Sequence, residues 1–173
     1  SLEKKLDDQL RNFPNSSFLN NLKGSSLVNQ NRLEESIPFF KLALDRAKNP
    51  EVILNNIGVT QIKLNNLEES LSSFNSSLDL NPNYAEAHCN LGTSLRKLGR
   101  TQEAIKSYEE AIKINPKYTK ALLSKSLSLK NLGNFEESIS CSKEAIRHQA
   151  DYGIVHRHLS SMIKYSNEED LHI

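Results

Sequence analysis

Three features of this 173-residue chain predict an all-α fold of helical hairpins stacked side by side, an α-solenoid. Gly24, Gly58 and Gly92 are 34 residues apart, and Ser126 takes the next place. The turn residues Asn31, Asn65, Gly99 and Gly133 return at the same spacing; Asn is the other residue that tolerates a left-handed backbone. Pro82 and Pro116 are one period apart, and Pro14 lies two periods before Pro82. The clearest unit runs from Ala85 to Tyr118. Its apolar residues Leu91, Leu95, Leu98, Ile105, Tyr108 and Ile112 have helical spacing, Gly99 breaks it in the middle and Pro116 ends it, so it reads as two amphipathic helices joined by a tight turn.

Taken in order, residues 1–16 form a partial repeat. Residues 1–13 are a lone helix ended by Pro14, because Leu6 and Leu10 take the apolar places of a second helix with no first helix before it. The expectation is therefore a fragment of a longer array. Residues 17–50, 51–84, 85–118 and 119–152 are four full repeats. Residues 153–173 follow as a terminal helix, to about 165, and a polar tail, the whole being one continuous solenoid domain. Pro38 falls early in the second helix of the first repeat and removes a backbone donor there, which predicts a bend or a late start. Each second helix opens on acid: Glu34-Glu35, Glu68-Glu69, Gln102-Glu103 and Glu136-Glu137. Carboxylates there complement the helix macrodipole and the unpaired N–H groups, so the row is structural.

At this point the residues resemble the tetratricopeptide repeat, a 34-residue helix–turn–helix. The family's Leu–Gly pair stands as Ile57–Gly58 and Leu91–Gly92. Its Ala–x3–Phe/Tyr stands as Ser70–Phe74 and Ala104–Tyr108, followed by the small residues Ala43, Ser77, Ala111 and Ala145. Asn20, Leu54, His88 and Leu122 take the Trp-like place. Lys23 and Lys125 stand where the family has Leu, and Ala150 replaces the closing Pro. The resemblance implies a right-handed α-solenoid whose first helices line a concave, peptide-binding groove.

Composition narrows the function. With 37% hydrophobic and 25% charged residues, and no apolar run near the ~18 residues of a membrane span, the chain is expected to be neither membrane-embedded nor disordered. Lys and Arg number 22 against 21 acids, which argues against a nucleic-acid-binding surface. Cys89 and Cys141 fall on helices of different repeats, and 1–13 is too charged for a secretion signal, so plain thiols and a cytoplasmic location are expected. His156 and His158 would lie about 200° apart on a helix and could not share one metal. Gly92 to Gly99 lacks the spacing of a phosphate loop. No catalytic residue, metal or cofactor is expected.

Carried over position by position, the resemblance implies that the groove is lined by Val52, Asn55, Asn56, Val59, Ile62 and Lys63 in the second repeat. In the third it takes Glu86, Cys89, Asn90, Thr93, Arg96 and Lys97; in the fourth, Lys120, Leu123, Ser124, Leu127, Lys130 and Asn131. Five basic residues and one acid thus share one face, while the three repeats together are neutral. The candidate peptide-binding residues are Asn55, Asn56, Lys63, Asn90, Thr93, Arg96, Lys97, Lys120, Ser124 and Lys130. The amides would hydrogen-bond a peptide backbone and the cations would draw acidic residues or a C-terminal carboxylate. Asn56 and Asn90 resemble two rungs of the Asn ladder in O-linked N-acetylglucosamine transferase arrays. The carboxylate clamp of chaperone-tail binders is matched only at Asn90 and Lys120, so chaperone binding is not expected.

The function expected is therefore a protein-interaction scaffold. Its partner is a protein or peptide, of acidic character, rather than nucleic acid or membrane. The alternative is the non-catalytic array of a larger enzyme, sulfotransferase-like or glycosyltransferase-like, since the tail HRHLSSMIKYSNEEDLHI is similar to the junction where bacterial arrays run into a sulfotransferase domain. Weak self-association through open apolar ends is a third expectation.

Overall fold

A computed structural model of the chain describes residues 2–148, with side chains from Lys4 onward. The expected terminal helix and tail, the His156/His158 pair and Ala150 lie outside the described residues. Those described form nine helices: α1 (Leu2–Asn12), α2 (Ser17–Asn29), α3 (Leu33–Leu44), α4 (Pro50–Lys63), α5 (Leu67–Leu80), α6 (Ala85–Lys97), α7 (Thr101–Ile114), α8 (Thr119–Asn131) and α9 (Phe135–His148). The chain divides after Asn83 into two compact units. The first holds α1 and the hairpins α2–α3 and α4–α5; the second holds the hairpins α6–α7 and α8–α9.

Every hairpin turns by the same device. Asn31 and Asn65 have φ 62° and Gly99 and Gly133 have φ 79°, the left-handed region the periodic Asn/Gly column requires. The next residue then donates its N–H back across the helix end: Arg32 to the Leu27 carbonyl, Asn66 to Gln61 and Arg100 to Leu95 at 2.9 Å, and Asn134 to Leu129 at 3.0 Å. The turn residues themselves donate to Val28, Ile62, Arg96 and Lys130. Together these are the paired bonds that close a helix on a left-handed residue, and they satisfy carbonyls the helix would otherwise leave open.

The two helices of a hairpin meet where the small column faces a ring. A Cβ added at Gly24 would lie 2.7 Å from the Phe40 ring, one at Gly58 2.6 Å from Phe74, and one at Gly92 2.6 Å from Tyr108. The three rings are 1%, 0% and 0% exposed, so each fills the space its glycine vacates. In the fourth hairpin the pair becomes Ser126 and Ser142, whose hydroxyls are 2.7 Å apart, and Ser138 joins them at 3.0 Å from the Ser126 hydroxyl. Volume lost with the ring is replaced by a buried hydrogen-bonded triad.

The second helices carry the other small columns. Ser36, Ser70, Ala104 and Ser138, and again Ala43, Ser77, Ala111 and Ala145, are all fully buried. Arg32 and Arg100 precede α3 and α7 without capping them through a side chain; each instead grips the acid three residues on, Glu35 at 2.6 Å and Glu103 at 2.7 Å. Glu35 and Glu103 are held below the usual carboxylate range, chiefly by these bonds.

A late start at Pro38 is not what the structure shows. Helix α3 begins at Leu33 and runs through Pro38. Pro38 is exposed, and so is Glu34, the residue whose carbonyl its missing N–H would have served. The helix instead ends early, at Leu44, where α5 and α7 continue to Leu80 and Ile114 at the places equivalent to Arg46.

Lys23 and Lys125, which replace family leucines, are both packed by ion pairs. The Lys23 side chain is 7% exposed and its Nζ lies 2.7 Å from Asp7 on α1. The Lys125 ammonium lies 2.9 Å from both Glu109 on α7 and Glu137 on α9. Burial lowers its pKa, but the two carboxylates outweigh burial and the net shift is upward. Apolar contacts complete each unit: Phe40, Ala43, Ile53 and Ile57 join α3 to α4, and Ile105, Leu129 and Cys141 join α7, α8 and α9.

Replacing Gly92 by Ala drives a Cβ into the Tyr108 ring and to 3.0 Å from the Ala104 carbonyl oxygen, and is expected to cost about 1–3 kcal/mol in denaturant unfolding. Gly99→Asn, at a site with nothing within 4 Å, is expected to cost less than half of that, since Asn31 and Asn65 already hold the same backbone. Equal losses would mean that the ring contact does not set the tolerance.

Candidate functional site

In the second unit the candidate residues lie on the two first helices, α6 and α8. Near the start of α8, exposed Lys120 donates from Nζ to the Asn90 Oδ1 on α6 at 2.9 Å. Asn90 is 3% exposed, and its neighbour Cys89 is fully buried. Tyr118, half-buried on the connector before α8, brings its phenol against the Cys89 thiol, with the Glu86 charge nearby. Burial pushes the Cys89 thiol up to about 11 although the Lys120 charge opposes it, and burial likewise pushes the Tyr118 phenol up. The thiol is neutral at pH 7 and is not a nucleophile there.

Toward the other end of α6, Thr93 donates its hydroxyl to the Cys89 carbonyl at 3.0 Å. Half-buried Arg96 lies beside the Tyr108 hydroxyl at the floor of the same face. The Arg96 Nε and the Tyr108 hydroxyl are both buried, and neither makes a well-formed hydrogen bond among the described residues. Burial raises the Tyr108 pKa, against the influence of Thr93 and Arg96. Arg11, Arg32, Arg46 and Arg100 each stand within 3.8 Å of a carboxylate; Arg96 has no such partner among the described residues. Lys97 is exposed at the end of α6, and Ser124 and Lys130 are half-buried on α8. This unit therefore gathers Asn90, Thr93, Arg96, Lys97, Lys120, Ser124 and Lys130 on two neighbouring helices.

In the first unit, α4 carries Asn55, Asn56 and Lys63. Asn55 is 1% exposed, so it is a packed core residue and not a donor offered to an occupant. Half-buried Asn56 donates from Nδ2 to the Asn21 Oδ1 on α2 at 3.1 Å. Lys63 is exposed at the end of α4. The two ladder-like amides thus both tie one first helix to the next, Asn56 to α2 and Asn90 to α8. Among the described residues no three His, Cys, Asp or Glu side chains are placed to hold a metal ion, and no helix is long and apolar enough to cross a membrane.

Tetratricopeptide-repeat models match residues 85–118, and also 19–50 with 119–152, and a TPR-repeat model matches 58–98. The chain belongs to the tetratricopeptide-repeat family. Its fold is similar to that of MamA 41-end from Desulfovibrio magneticus RS-1, at 19% identity and a TM-score of 0.76 over 90% of this chain and 88% of that one. YrrB, a TPR protein with an unusual peptide-binding site, matches at 20% identity and a TM-score of 0.71 over 90% of this chain and 80% of that one. A tetratricopeptide repeat protein from Parabacteroides merdae ATCC 43184 matches at 23% and 0.77 over 92% and 64%. At these identities the likeness is one of fold. No curated protein sequence matches the chain.

Two features of this tetratricopeptide-repeat chain escaped the sequence reading. The Lys120–Asn90 bond spans 30 residues, off the 34-residue period, so no column comparison exposes it. The Tyr108–Arg96 floor does leave a trace. The residues three before the turn are Val28 and Ile62 where the ring is Phe40 or Phe74, and Arg96 only where the ring carries a hydroxyl.

Cys89 is expected to resist alkylation by iodoacetamide at pH 8 in the folded protein and to react fully in denaturant. Mass spectrometry of the two digests reads the difference; rapid native labelling of Cys89 would contradict its burial.

Proposed function

We propose that this protein is a non-catalytic interaction scaffold and that α6 and α8 bind an extended acidic segment of a protein partner. The single observation behind this is Arg96. A half-buried guanidinium without a carboxylate, in a chain whose other arginines near it in sequence are paired, is a site that an incoming carboxylate completes. Lys97 and Lys120 add attraction at either side, and the Lys120 ammonium, with one of its three donors given to Asn90, has two left for a ligand. Thr93, Ser124 and Lys130 complete the polar lining of this face. Asn55 has no part in it, being buried, and Asn56 and Lys63 belong to the first unit. Fold likeness to a peptide-binding relative supports the reading without identifying the partner.

A fluorescein-labelled peptide of alternating Glu and Ser tests it by anisotropy. Saturable binding that weakens with salt is expected, and Arg96→Gln and Lys120→Glu should each weaken it by about tenfold or more, the worth of one charge-assisted hydrogen bond. Lys106→Glu, on exposed α7 surface, should act only as a general charge change and weaken it far less. Equal losses in all three variants, or none, would refute a site on α6 and α8.

A further inference from the structure

The first unit contains a cleft that the repeat itself explains. Phe18 and Asn21 of α2 and Val52 and Ile53 of α4 form its walls, Arg46 and Lys48 of the connector between α3 and α4 form its rim, and its volume is ≈ 360 Å³. That is within the range of pockets that hold small molecules or side chains. Phe18 is 72% exposed, an unusual state for an aromatic ring at a wall.

The equivalent place in the second unit carries a ring. There Tyr118 comes from the connector and meets the Cys89 thiol, with the charges of Glu86 and Lys120 nearby. Shifted by two periods, these four residues become Pro50, Phe18, Asn21 and Val52. The ring is missing, and three of the cleft's surrounding residues occupy the places around it. Early termination of α3 at Leu44 adds to the opening by leaving a five-residue connector, 45–49, where 81–84 and 115–118 have four.

We propose that this cleft takes an aromatic side chain of a protein partner, from a segment with acidic residues flanking the ring. Volume and register supply the aromatic half: the cleft has ≈ 360 Å³ of space, ample for a ring, and the repeat sets its own tyrosine, Tyr118, at the matching position one unit later. Charge supplies the acidic half. No acidic side chain lines the cleft, while Arg46 and Lys48 stand at its rim. Arg46 has Asp45 at 3.8 Å, and that contact is exposed on both sides, so a partner carboxylate can compete for it. Lys48 is exposed. Phe18 is available to stack on the inserted ring, and the Asn21 amide, already bonded to Asn56, lies at the wall. The site is separate from the face on α6 and α8; the two readings share only the idea of a peptide partner.

The probe is the acetylated, amidated pentapeptide Glu-Asp-Tyr-Glu-Asp, with its Tyr→Ala counterpart, titrated into the ¹⁵N-labelled protein. The tyrosine peptide is expected to shift amides of 17–21 and 46–53 saturably, and the alanine peptide to bind at least about tenfold more weakly. Pro50→Tyr restores the fold's own ring to the cleft. It is expected to abolish this binding and to melt higher than Pro50→Ala, which lacks both the proline and the ring. Phe18→Ala, at an exposed position, is expected to weaken binding without lowering the thermal midpoint, and Lys120→Glu to leave it unchanged. Shifts confined to α6 and α8, full binding by Pro50→Tyr, a Pro50→Tyr midpoint below that of Pro50→Ala, or no difference between the peptides would each overturn the proposal. A loss in Lys120→Glu with Pro50→Tyr unaffected would place the peptide on the other face, rejecting the cleft while leaving the function proposed above intact.

Discussion

The close approach of one glycine to one aromatic ring governs this chain. Gly24, Gly58 and Gly92 let the second helix of the first three hairpins bring Phe40, Phe74 or Tyr108 within van der Waals reach of the first helix backbone. Short helices of 12 to 14 residues are weak structures alone. The ring contact fixes their distance and the left-handed turn fixes their hand-over, so the hairpin becomes the building block. Everything displayed by the first helices follows from where these two constraints hold them.

Variation enters where the constraint leaves side chains outside the contact. In the fourth hairpin, Ser126, Ser138 and Ser142 exchange a ring for three hydroxyls that satisfy one another. In the first and fourth, Lys23 and Lys125 take leucine places because Asp7, or Glu109 with Glu137, stands opposite. In the third, a hydroxyl on the ring accompanies half-buried Arg96 beside it. A buried charge with its partner supplied adds little stability over a hydrocarbon, but it does tie neighbouring helices to one register.

The backbone was the legible part. Glycine for close contact and Asn or Gly for positive φ are demands on single residues, so they recur at one spacing and can be read without coordinates. Side-chain partnerships were less legible because they join residues at separations other than the period. Lys125 meets Glu109 and Glu137 at 16 and 12 residues, and Lys120 meets Asn90 at 30. Asn55 shows the same limit from another side: its groove assignment rested on its position in the repeat, and position does not report burial. Cys89, at the corresponding place in the next repeat, is fully buried with Tyr118, a residue 29 positions later, against its thiol. The cleft at Phe18 was hidden for the opposite reason. It depends on a ring that is absent, Pro50 standing where Tyr118 stands two periods on.

A double-mutant cycle on the fourth hairpin tests the governing contact most directly. Ser142→Phe alone should be strongly destabilising, because its ring would meet the Ser126 side chain where the other hairpins have no Cβ. Adding Ser126→Gly should recover most of the loss, with a favourable coupling of about 1–3 kcal/mol between the two substitutions in denaturant unfolding. Additive effects, within about 0.5 kcal/mol, would show that the glycine and the ring do not act as a pair and that the hairpins are held together by something else.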